Sequence, residues 1–238
     1  MPALHTTTSL AADLRTLGLA PGDTVLAHSS MRAIGPVAGQ VQAVVQALLD
    51  VLGPGGTLIV PTHTPFNSDP AAWDNPPVPP EWWPILREQS PGFDPARTPS
   101  RWMGVLPETV HTWPGAHRST HPQVSFAALG AHAATITAGH RLGDALGEDS
   151  PLGAIYRLHG KVLLLGCGHG SNTSLHLAET RQPHPPTATH GAAVRNHDGT
   201  ARWITWTAPT ADFPQIGAAH EASGPFTLGP VGNPPPPA

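Results

Sequence analysis

Two short apolar runs, Thr24-Val25-Leu26-Ala27-His28 and Thr57-Leu58-Ile59-Val60, stand on either side of the amphipathic stretch VQAVVQALLDVL at residues 41–52. Neither run alternates polar with apolar residues, so each reads as a strand covered on both faces. A buried strand, a helix and a second buried strand form a parallel crossover unit, which commits the chain to an α/β architecture. Pro21-Gly22-Asp23 and Gly53-Pro54-Gly55-Gly56 supply the turns at the edges of this unit. Lys161-Val162-Leu163-Leu164-Leu165 adds another buried strand, followed by a loop at 166–172 and a helix expected over 173–180.

Other segments fill in the frame. The first 20 residues predict a helix capped by Thr8 or Ser9, with Leu10, Leu14, Leu17 and Leu19 on its apolar side. Residues 131–146 read as helical, 191–207 as a hairpin turning at Asp198-Gly199, and 212–221 as a last helix. Residues 1–232 are expected to form one domain, and 233–238, which hold four prolines, a flexible tail. Residues 64–100 lack periodicity but contain Trp73, Trp82 and Trp83, which predicts an ordered loop packed over a site or against a second copy in a homodimer.

Composition narrows the function. The chain has only 12 Lys and Arg and a formal charge of −4, which excludes the basic patch that nucleic-acid binding needs. No apolar run approaches the roughly 20 residues of a membrane span, and no apolar segment follows the first residues as in a secretory signal. A cytoplasmic protein with no membrane partner is therefore expected. The single cysteine, Cys167, leaves no disulfide framework.

Three segments carry chemistry. His28-Ser29-Ser30-Met31-Arg32, leading to Gly35, lies between a strand and a helix, where hydroxyls and backbone N–H groups suit a phosphate. A plain turn with serine caps is the alternative. Gly166-Cys167-Gly168-His169-Gly170-Ser171 places Ser171 where a dinucleotide fingerprint needs its third glycine, so a dehydrogenase is not expected. Thr173, His176 and Glu179 are spaced three apart, which on a helix puts them on one face. A histidine with a carboxylate partner is a general base near neutral pH, and a hydroxyl beside it can donate to an oxyanion. An incidental surface His–Glu pair is the competing reading. His63, His121, His169, His176 and His184 raise a metal-dependent hydrolase as another, but no H-E-x-x-H or zinc-type spacing is present and no metal is expected.

The stretches LGLAPGDTVLAHSSMRAIG, GGTLIVPTHT, TPSRWMGVLPE, RSTHPQVSFAALG, GEDSPLGAIY and GKVLLLGCGHGSNTSLHLAE together resemble the aminoglycoside 3-N-acetyltransferase family, in family order and over most of the chain. The resemblance implies a three-layer α/β/α fold with a central, mostly parallel sheet, distinct from the GNAT fold, and an acyltransferase linked to antibiotic resistance. It implies acetyl-CoA as co-substrate, bound by His28, Ser29, Ser30, Met31, Arg32 and Gly35. Thr62, Thr64 and the intervening His63, then Met103, Gly104, Arg118, Ser119, His121 and Ser125, are implied to line the rest of the coenzyme cleft.

By the same resemblance Thr173 and His176 are catalytic, with Glu179 or Glu221 as the supporting acid. Transfer is then direct, to an amine of an aminoglycoside or a similar polar molecule. Asp69, Trp73, Asp74 and Glu179 are the candidates to meet that acceptor. A chain that binds coenzyme A without turnover is the remaining alternative. Cys167 is a rival nucleophile, although its place at a strand end fits a packed residue better.

Overall fold

The computed structural model describes residues 4–209 and 227–231. The first half runs α1 (Thr7–Thr16), β1 (Thr24–Ser29), the single turn α2 (Met31–Ile34), α3 (Gln40–Leu52) and β2 (Thr57–Pro61). Next come α4 (Trp83–Gln89), α5 (Val105–His111), β3 (His117–Arg118), β4 (Phe126–Gly130) and α6 (Ala133–Thr137). The remainder is α7 (Pro151–Arg157), β5 (Lys161–Leu165), α8 (Leu175–Thr180), and the hairpin of β6 (Thr187–Arg195) and β7 (Ala201–Pro209).

Five strands form the main sheet in the order β3-β4-β2-β1-β5. β1 runs parallel to both β2 and β5, while β4 is antiparallel to β2 and β3. Successive side chains leave a strand on opposite faces. Val25, Ala27, Leu58 and Val60 therefore enter one core with Leu10 and Leu14 of α1, Val44 and Leu48 of α3, and Leu106 of α5. Leu26 and Ile59 enter a second core with Phe126, Ile136 of α6, and Leu152 and Ile155 of α7. Helices on both faces of a sheet whose central strands are parallel give the expected α/β/α layering.

Several elements differ in detail from the sequence reading, each for a local reason. α1 is capped by Thr6, two or three residues ahead of the expected Thr8 or Ser9. Thr6 Oγ1 accepts the Ser9 N–H at 3.2 Å, and Ser9 Oγ accepts the Thr6 N–H at 3.0 Å, a reciprocal capping box. The helix expected over 131–146 stops at Thr137, where Gly139 at φ 64° turns the chain away. β5 is an edge strand in the five-stranded sheet, with Lys161 and Val162 exposed rather than buried. Lys161 Nζ donates to Asp23 Oδ2 at 2.6 Å, and a charge at an edge also discourages pairing with another chain.

β3 and β4 were not foreseen as strands, because the FAALG stretch is short and small-residue-rich. The hairpin is longer than expected, 187–209, with Gly199 at φ 87° in its turn. The last helix expected over 212–221 and the 233–238 tail lie outside the described residues.

The segment 64–100 is ordered, with α4 and single turns at Pro70–Ala72 and Pro80–Trp82. Asn67 ties it down. Its Nδ2 donates to the carbonyls of Pro122 and Ala193 at 3.1 and 3.0 Å, and its Oδ1 accepts the Ala193 N–H at 3.1 Å. Phe93 N–H adds a bond to the Ala193 carbonyl at 2.9 Å. The segment thus joins the hairpin to the end of the main sheet. Among the described residues no helix is long and apolar enough to cross a membrane. Replacing Asn67 by Ala leaves the Ala193 N–H without its acceptor and takes one of two donors from each of the Pro122 and Ala193 carbonyls, so urea unfolding should show a loss of about 1–3 kcal/mol; an unchanged midpoint would mean the hairpin is held by other contacts.

Candidate active site

β1, β2 and β5 run in the same direction and end side by side, and the segments that follow them surround a cleft of about 610 Å³. The end of β1 and the start of α2 contribute His28 to Arg32, the end of β2 and the residues after it Pro61 and His63, the loop after β5 Gly170, Ser171 and Thr173, and α8 His176. Trp102 to Val105 close the remaining side. A crevice at the carboxyl ends of parallel strands is where open α/β sheets bind ligands. The β1 and β5 segments are clamped together: Ser30 N–H donates to the Leu165 carbonyl at 2.9 Å. Gly166, at φ 70°, lies so close to α2 that a Cβ there would stand 2.7 Å from Ala33 Cβ.

His176 Nδ1 lies 2.6 Å from Glu179 Oε2, and both side chains are largely buried. Because the carboxylate can only accept, it fixes the proton on Nδ1 and leaves the lone pair on Nε2. α8 starts at Leu175, so His176 and Glu179 share its face, but Thr173 precedes the helix. The turn rather than the helix brings Thr173 to the cleft: its carbonyl accepts the His176 N–H at 3.2 Å.

The family model described as aminoglycoside 3-N-acetyltransferase matches residues 26–235. The chain belongs to this family. It is 41% identical over 233 residues to the SPbeta prophage-derived aminoglycoside N(3')-acetyltransferase-like protein YokD of Bacillus subtilis, covering 96% of this chain and 85% of that one. The crystal structure of the Bacillus subtilis protein superimposes with a TM-score of 0.93, covering 97% of this chain and 86% of that one. Aminoglycoside N(3)-acetyltransferase III of Serratia marcescens is 39% identical over 208 residues, 84% of this chain and 74% of that one. The structure of AAC-IIIb with CoASH is 35% identical, with a TM-score of 0.85 over 97% of this chain and 89% of that one.

Against the residues that the acetyltransferase resemblance implied, the cleft divides the set. His28, Ser29, Ser30, Met31, Arg32, Met103, Gly104, Thr173 and His176 line it. Gly35, at φ 93°, closes the α2 turn by donating to the Met31 carbonyl and does not line the cleft. Thr62, Thr64, Arg118, Ser119, His121 and Ser125 are not among the residues that line it; most of their polar atoms bond backbone and neighbouring side chains behind the wall. Arg118 Nε donates to Thr62 Oγ1 and Ser125 Oγ at 3.0 Å each, and its other nitrogens to the Thr62, Thr98 and Pro95 carbonyls. Thr64 Oγ1 donates to the Pro122 carbonyl at 2.6 Å. Ser119 Oγ bonds His140 Nδ1, and His121 Nδ1 accepts the N–H groups of Gln123 and Val124.

The expected acceptor-binding residues also stand off the cleft. Asp69 is held by Arg87 at 2.6 Å, Trp73 donates its indole N–H to Ser68 Oγ at 2.8 Å, and Asp74 is exposed. Glu221 lies outside the described residues. Pro61, Trp102, Val105, Gly170 and Ser171 line the cleft without having been singled out. Trp102 and Val105 flank Met103-Gly104 in the TPSRWMGVLPE stretch, and adjacency to those two was the available signal. Among the described residues no three His, Cys, Asp or Glu side chains stand together as a metal-binding group.

Burial sets the charge state of the wall. It lowers the His28 imidazole to about 4, and lowers His63 to about 3 with the charges of His176, His28, His140 and Arg118 adding to the effect. His121 and His140 behind it are lowered to about 3 and 4, again chiefly by burial. Cys167 is half-buried, and burial raises its thiol above the ordinary value.

These histidines have a folded-state pKa below the unfolded value of 6.5, so the unfolded chain binds more protons between the two. Their contribution to stability is complete above about pH 6.5 and declines as pH falls toward 4, by up to about 1.4 kcal/mol per pH unit for each. Urea unfolding at pH 7.5 and 5.5 should show that decline, and His140→Gln should make it shallower by the share of one histidine; equal stability at the two pH values would mean these imidazoles already bind protons in the folded state.

Proposed function

We propose that this chain transfers the acetyl group of acetyl-CoA directly to an amino group of an aminoglycoside or similar polar amine, with His176 as general base. The observation that carries this is the 2.6 Å contact of His176 Nδ1 with Glu179 at the wall of the cleft, in a member of this family. A solved relative, AAC-IIIb, holds CoASH, and another, AAC-VIa, holds sisomicin. The residues present fit a coenzyme. Ser29 and Ser30 offer hydroxyls and Arg32 a guanidinium to phosphate oxygens, while Met31 and Met103 give apolar surface for a pantetheine arm. Thr62, Thr64, Arg118 and Ser125 serve that cleft from behind, holding the end of β2 and the adjoining His63 in place, while Ser119 and His121 brace the segment around residues 123–126.

The chain's own groups then divide the work. His176 Nε2 takes the proton from the amine as its nitrogen forms the new C–N bond. Glu179 holds the imidazole in the required tautomer and stabilises it once protonated. Thr173, in the same lining, donates its hydroxyl to the thioester oxygen as negative charge develops there. As the C–S bond breaks, His176 returns its proton to the leaving sulfur. The raised Cys167 thiol argues against an acyl-cysteine route, since the thiolate is the nucleophilic form.

Thiol release from acetyl-CoA with an aminoglycoside panel tests the reading. His176→Ala should lower kcat by about 10³-fold or more and Glu179→Gln by about 10- to 100-fold, while Cys167→Ala should leave kcat within about twofold. A loss under tenfold in His176→Ala would remove the histidine from its role. A collapse of activity in Cys167→Ala would instead favour a covalent intermediate.

A further inference from the structure

Trp102 lines the cleft mouth and is 70% exposed. Its φ of 63° places a bulky residue in the left-handed region, at a cost of about 1–2 kcal/mol that the surroundings must hold. They hold it from both sides: Arg101 N–H donates to the His63 carbonyl at 3.0 Å, and Gly104 at φ 84° turns the chain into α5. The Phe66 ring stands 4.8 Å from the Trp102 ring at 59°. Phe66 in turn meets Trp73 edge-on, at 6.1 Å and 87°, and Trp73 is pinned by its bond to Ser68. The ring of Trp102 is therefore supported by a fixed aromatic buttress, yet most of its surface faces water. An indole left outside the core on a strained backbone adds little to folding; covering its face with another ring recovers the apolar contact.

We propose that Trp102 is a platform for a ring of a ligand entering the cleft. Resting on the acetyl-transfer reading, that ring is either the adenine of the coenzyme or the ring that bears the acceptor amine. Either can lay an apolar ring face on the indole, adenine its π face and a saturated amine-bearing ring its C–H face, and Arg32 in the same lining supplies a cation for the phosphates of the coenzyme.

The test compares the unsubstituted chain with Trp102→Ala and Trp102→Phe, after thermal melting shows that all three fold. KM and kcat are measured with acetyl-CoA, with acetyl-pantetheine, which has no adenine, and with cyclic and small acyclic amines. Trp102→Ala should raise one KM about tenfold with kcat within about twofold, and Trp102→Phe should restore most of it. A loss seen with acetyl-CoA and absent with acetyl-pantetheine puts adenine on the platform. A loss confined to cyclic amines, with either thioester, puts the acceptor there. Unchanged KM values throughout overturn the proposal. Should the unsubstituted chain acetylate no amine, the transfer reading falls, and calorimetry with CoA and with an aminoglycoside then decides the platform: weaker binding of either to Trp102→Ala supports it, and equal affinity of both overturns it.

Discussion

Parallel pairing of β1 with β2 on one side and β5 on the other is the constraint on which the site depends. Each pairing fixes a register, Leu26 against Ile59 and Ser29 against Leu165, so the ends of the strands fall at defined heights. Because the strands run in the same direction, all three following segments emerge at one end. The bond from Ser30 N–H to Leu165 and the close approach of Gly166 to Ala33 then lock two of those segments together. Slipping one strand by a residue would turn its core side chains to the other face, which the two separate cores forbid.

The third segment is held by a different device. Arg118 is largely buried, and burial lowers its guanidinium to about 10. A buried cation is tolerated only when its donors are satisfied. Here they are spent on Thr62, Ser125 and the carbonyls of residues 95 and 98, with the Phe93 ring 5.1 Å below the guanidinium carbon. One side chain thus joins the end of β2, the end of β3 and the long loop. Thr62, Arg118 and Ser125, which the family resemblance suggested as coenzyme ligands, together fix the end of β2 from which His63 meets the cleft.

What the sequence disclosed followed from periodicity and local chemistry. The β1–α3–β2 unit was legible because buried runs flank an amphipathic helix, and the hairpin because Asp198-Gly199 suits a turn. The His176–Glu179 pair was legible because helical spacing alone brings i and i+3 together, and the structure places them 2.6 Å apart. Long-range pairing was not. Nothing local in Phe126–Gly130 announces an antiparallel partner for β2, since its register is set by residues some 70 positions away. Nor does a motif reveal which of its polar residues face a cleft: Ser29 and Ser119 both stand in well-matched stretches, but only Ser29 reaches the surface. The same gap hid Trp102, whose exposure is a property of backbone conformation rather than of residue type.

The electrostatic character of the cleft follows from these placements together. Its described lining has one fixed charge, Arg32, and three histidines, of which His28 and His63 are kept neutral by burial. Asp69 and Asp94 face arginines elsewhere, and Glu179 is taken by His176. A wall of neutral imidazoles, hydroxyls and apolar side chains beside one guanidinium solvates an ammonium less well than water does, so under the proposed transfer entry into the cleft favours loss of a proton from the amine. Under the same proposal this lowers the demand on His176, which then needs only to remove the proton made acidic as the new C–N bond forms. In that proposal a neutral wall and a single carboxylate-oriented base are one design: the first makes the nucleophile available, and the second lets it complete the bond.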